Sequence, residues 1–82
     1  MGNFTEQFQV QKTSQGDDRI LSLSGPITEN AVFPIDYVDG AKHLILELEK
    51  VTGINSSGIR LWLQWMNAIK LLSPEIIITL RG

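Results

Sequence analysis

The sequence predicts an α/β domain: a mixed, largely parallel four-stranded β-sheet packed with one long helix and a short helical turn. Three observations carry that expectation. Apolar and β-branched runs recur at Arg19-Ile20-Leu21-Ser22-Leu23-Ser24, His43-Leu44-Ile45-Leu46-Glu47-Leu48-Glu49 and Glu75-Ile76-Ile77-Ile78-Thr79-Leu80, each of strand length and bounded by turn residues. Between the last two, Ile59 to Leu72 contains neither Gly nor Pro and repeats its apolar residues at helical spacing. A strand–helix–strand succession of this kind makes the flanking strands parallel, through a right-handed crossover.

In chain order, Phe4 to Gln11 alternates around Phe4, Phe8 and Val10 and reads as a half-buried or edge strand. Ser14-Gln15-Gly16-Asp17-Asp18 is turn chemistry, so a hairpin joins this strand to Arg19–Ser24, which Gly25-Pro26 closes. From Ile27 to Gly40 the pattern predicts a helical turn or two with Thr28 as N-cap, stopped at Pro34, then irregular chain. The run from His43 is apolar on both faces at its start, as interior strands are. At 100° per residue the long helix gathers Arg60, Gln64, Asn67 and Lys70 on one side. Leu61, Trp62, Trp65, Met66, Ala68, Ile69 and Leu72 fill the other, and Leu63 and Leu71 fall among the polar residues without a core to enter. Ser73-Pro74 ends the helix, because the residue before proline is pushed out of the α region.

Composition narrows the function. With 82 residues a single domain, 1–82, is expected, and 43% hydrophobic residues are enough for a small core. There is no cysteine, hence no disulfide framework and no thiolate metal site. A net charge of −2 with scattered Lys and Arg gives no footprint for nucleic acid. The N-terminus has no signal-peptide pattern and no apolar run approaches the roughly 18–20 residues of a membrane span, so a cytoplasmic protein without membrane insertion is expected. His43 is a lone histidine without a second ligand, and no Gly-rich phosphate loop or nucleophile triad is legible. The expectation is a non-catalytic protein needing no cofactor and no metal.

Three pieces of the chain resemble a STAS domain, the module of bacterial anti-sigma factor antagonists and of the cytoplasmic ends of sulphate transporters. They are Arg19-Ile-Leu-Ser-Leu-Ser-Gly25-Pro-Ile-Thr28, the strand His43–Leu48, and Ile54-Asn-Ser-Ser-Gly-Ile59. The last is similar to the family signature Ile-Asp-Ser-Ser-Gly at the start of a long helix. Two departures stand out. Asn55 occupies the position of the usual aspartate, and the chain stops at the fourth strand, without the helix–strand–helix that commonly follows in the family. The resemblance implies a partner-switching module that binds a kinase-type anti-sigma factor, with Ser56 at the phospho-acceptor position and Asn55, Ser57, Gly58 and Arg60 on the partner surface.

The chemistry can be stated without the family. A serine at a helix N-terminus lies beside unpaired amides and the positive end of the helix dipole, where its own helix tolerates a phosphate that repels an acidic partner. Asn55 or Ser56 serves equally as a plain N-cap, and one serine can cap while another accepts phosphate. The second reading is a constitutive, unphosphorylated structural or scaffold STAS subunit of a sensory or transporter-associated complex, favoured by Asn55 and the broad apolar helix. An uncovered strand face and exposed leucines predict a homodimer or larger assembly.

Overall fold

The computed structural model describes residues 7–82. Its chain order is β1 (Gln9–Gln15), β2 (Asp18–Ile27), a 3-10 turn (Asp36–Val38), β3 (His43–Ile54), α1 (Ser56–Leu72) and β4 (Ile77–Arg81). The sheet order is β1-β2-β3-β4, with β1 and β2 antiparallel and the pairs β2–β3 and β3–β4 parallel. This is the mixed, mostly parallel α/β arrangement that the sequence predicts.

Strand pleating sorts the side chains. Leu21 and Leu23 of β2 and Leu44 and Leu46 of β3 point to one face and are fully buried beneath Trp65 and Ile69 of α1. The opposite face carries Gln11, Thr13, Ser22, Glu47 and Arg81, and Arg81 pairs with Glu47 at 3.5 Å. One packed face and one polar face explain the alternation of β2. β3 is interior, as its two-sided apolar start requires, and Ile45 on its polar-side face is buried between neighbouring strands.

Several boundaries differ from the sequence expectation. Phe4, Thr5 and Glu6 of the expected first strand lie outside the described residues. β1 runs on to Gln15 because the hairpin loop is only Gly16-Asp17, with Gly16 at φ +60°, the conformation that a tight two-residue hairpin asks of its first position. β2 continues through Gly25-Pro26 to Ile27. Gly25 adopts φ +82°, and a Cβ there would collide with the Gln7 carbonyl. The helical turn falls after Pro34, at Asp36–Val38, and not at Thr28–Pro34. Thr28 forms a tight turn instead: its Oγ1 accepts from the Asn30 amide at 3.3 Å and its carbonyl from the Ala31 amide at 3.0 Å. Hydroxyl-to-backbone bonding of this kind competes with helix formation.

Within α1, Trp65 and Ile69 are buried, Trp62 is half-buried, and Leu63 and Leu71 are exposed as their positions predict. Leu72, expected inside, is 46% exposed because it lies in the last turn, past the end of the packed face.

Candidate functional site

Helix α1 starts where Asn55 makes it start. Its backbone is extended (φ −106°, ψ 179°), its Oδ1 accepts the Gly58 amide at 2.7 Å, and its carbonyl accepts the Ile59 amide at 2.9 Å. These are the bonds of an N-cap. The cap is therefore Asn55, and Ser56 and Ser57 take the first two helical positions. Both are exposed, and neither hydroxyl has a hydrogen-bond partner among the described residues. The amides of these first positions have no intrahelical acceptor, and the dipole is positive here. Arg60 is exposed one turn further on.

Gly58 has a different part. It is buried against the end of β2, where a Cβ would collide with the Ile27 carbonyl. That carbonyl also accepts the Asn55 amide at 3.2 Å. The close approach that the missing side chain permits is thus to the protein's own strand, and it fixes where α1 leaves the sheet.

Sequence reasoning missed Glu29. The Asn55 Nδ2 donates to Glu29 Oε1 at 3.0 Å, across 26 residues of chain. A side-chain amide accepts and donates at once, so Asn55 caps its helix with one atom and holds a carboxylate with the other; an ionised aspartate has no donor for the second bond. The carboxylate absent from position 55 is supplied at the same helix end by the segment after β2. No spacing rule signals this, because the contact depends on the path of the β2–β3 connection.

The Asn55 hydrogen bond, with a second from Glu29's own backbone, lowers the Glu29 pKa below the usual carboxylate value. A depressed folded-state pKa contributes stability that is present above the unfolded value and lost as pH falls through the folded one. Glu29→Gln is therefore expected to flatten part of the acid limb of the stability profile below the ordinary glutamate range. Urea unfolding across pH 7 to about 3 measures this. An unchanged acid limb would mean that the contact does not form in solution.

The remaining candidates have structural partners. His43 Nε2 lies 2.7 Å from Thr79 Oγ1, and its Nδ1 lies 3.8 Å from Asp18 Oδ1, so the ring ties β3 to its neighbours. Asp17 pairs with Lys42 at 3.7 Å beside the hairpin. Trp65 Nε1 donates to the Pro34 carbonyl at 2.9 Å, and its ring stacks on Phe33 at 4.7 Å. Among the described residues no helix is long and apolar enough to cross a membrane.

No protein-family model matches the chain, and no curated protein matches it. Solved structures do. The chain is similar to Mglu over 88% of its own length, at 22% identity and a TM-score of 0.69, and to Mglu in its native form over 87%, at 19% identity and 0.65. It spans only 19% and 22% of those chains. It is also similar to the anti-sigma factor antagonist SpoIIAA in its unphosphorylated form, at 17% identity and a TM-score of 0.55, over 90% of this chain and 71% of that one. The fold is a STAS-like α/β fold, shared with that anti-sigma factor antagonist.

Proposed function

We propose that this chain is a non-catalytic regulatory module that binds a kinase-type anti-sigma factor through the N-terminal end of α1 and is switched by phosphorylation of Ser56. The observation that carries the reading is the division of labour at that end. Asn55 does the capping, so the Ser56 hydroxyl is exposed and free beside unpaired amides. Asn55, Ser57 and Arg60 form the accessible surface around it, and Gly58 sets its position against β2. The likeness to the fold of SpoIIAA supports the same reading. A phosphate here adds a charge of about −1.5 to −2 that the helix end tolerates and an acidic partner surface does not. The need for ATP places the reaction in the cytoplasm.

The test is incubation with ATP and an anti-sigma factor kinase from the same genome, with mass spectrometry to locate the phosphate. Modification of Ser56, lost in Ser56→Ala, is expected. Ser56→Asp is expected to weaken kinase binding by about tenfold or more. Equal binding of Ser56→Asp and Ser56→Ala rejects the switch. That result would favour the second reading, a constitutive scaffold subunit, for which the exposed Leu63 and Leu71 are the supporting observation.

A further inference from the structure

Helix α1 has an apolar flank that the domain leaves uncovered. Ile59 and Leu63 are 45% and 60% exposed, one turn apart, with Met66 half-buried beside them. On the Trp62 side of the helix, Leu48, Val51, Ile54, Ile27 and Trp62 line a cleft of about 210 Å³. The charges of α1 are of one sign: its 17 residues include Arg60 and Lys70 and no Asp or Glu. Arg60 borders the exposed stripe, and Lys70 lies further toward the C-terminus at the helical spacing Leu63, Met66, Lys70, its ammonium donating to the Ile76 carbonyl at 3.4 Å and able to accommodate a further acceptor. Ser56 stands at the other end, seven residues before Leu63 and therefore on the same side.

We infer that this flank docks an amphipathic helix of a partner protein whose apolar stripe is bordered by acidic residues. Charge complementarity selects that occupant. A second copy packed α1 against α1 brings Arg60 and Lys70 onto like charges; neither helix carries a carboxylate, and Glu29 at the helix end is already held by Asn55. A helix with acidic borders meets both cations while its apolar residues cover Ile59, Leu63 and the cleft. The docking does not require phosphorylation. Its regulation does, and that part rests on the reading of Ser56 as the phospho-acceptor: a phosphate at the end of the stripe repels the acidic border.

The probes are three designed amphipathic peptides of about 18 residues, long enough to hold a helix on binding. They share one leucine stripe and carry glutamate, lysine or glutamine at the bordering positions. Binding is followed by tryptophan fluorescence, to which Trp62 in the cleft contributes, and by calorimetry. The glutamate peptide is expected to bind about tenfold or more tighter than the lysine peptide, with the gap narrowing as salt rises. Leu63→Glu, at an exposed position that leaves the urea midpoint unchanged, is expected to abolish binding. Equal affinity for the two charged peptides, or binding indifferent to Leu63→Glu, overturns the proposal. So does a concentration-dependent dimer dispersed by Leu63→Glu, since the occupant is then a second copy. Ser56→Asp is expected to weaken the glutamate peptide several-fold and spare the glutamine peptide. Loss of that effect alone leaves the docking standing and rejects the switch.

Discussion

Gly58→Ala is expected to destabilise the domain by about 2–4 kcal/mol, although helix propensity alone predicts a gain of about 1 kcal/mol. The new Cβ meets the Ile27 carbonyl, a backbone group, so no side chain can swing aside to make room. That carbonyl is also held by the Asn55 amide, so relief requires α1 to move off the end of β2. For a domain of this size the loss corresponds to a fall of roughly 10–25 °C in Tm. Gly53→Ala is the control. Nothing lies within 4 Å of its Cβ, and a change of no more than about 0.5 kcal/mol is expected. Thermal melts followed by circular dichroism compare the two. Equal stability of Gly58→Ala and the parent would show that the helix start is free to shift, and with it the geometry of Asn55 and Ser56.

Trp65→Ala is expected to cost about 3–5 kcal/mol, enough to leave so small a domain largely unfolded. The indole is buried, stacks on Phe33 and stands edge-on to Trp62, and Phe33 in turn packs against Phe8 at 5.1 Å. Its Nε1 also anchors the β2–β3 connection at Pro34. Trp65→Phe keeps most of the ring contact and removes that hydrogen bond, so a smaller loss of about 1–2 kcal/mol is expected. Near-ultraviolet circular dichroism and urea unfolding separate the variants. A Trp65→Phe loss as large as that of Trp65→Ala would make the Pro34 bond, not the ring packing, the main anchor.

The strands were legible where their apolar residues alternate or run continuously, and α1 where its apolar residues keep helical spacing. The ends were less so. β2 reads through Gly25-Pro26 because pairing with β3 continues there, and Thr28 turns the chain where a cap-like residue suggested a helix. At the site, Ser56, Ser57 and Arg60 are exposed as their positions suggest. Gly58 was legible as part of the signature and of an expected partner surface, but the structure buries it against Ile27. Leu63 announced itself by falling among polar residues, and it is indeed left outside.

By itself the sequence determined the order and type of the elements, the sides of α1, and the presence of a polar cap ahead of two serines. These depend on neighbours within a turn or a pleat, so local periodicity carries them. Only the tertiary structure decided that Asn55 is the cap that frees both serines, that Glu29 returns a carboxylate to the helix end, and that Gly58 is closed off by β2. The cap bond itself spans three positions, from Asn55 to Gly58, but the contacts that hold these two residues against Glu29 and Ile27 join positions 26 to 31 apart. The parallel register of β2 and β3 and the path between them bring such residues together, and no local pattern encodes that path.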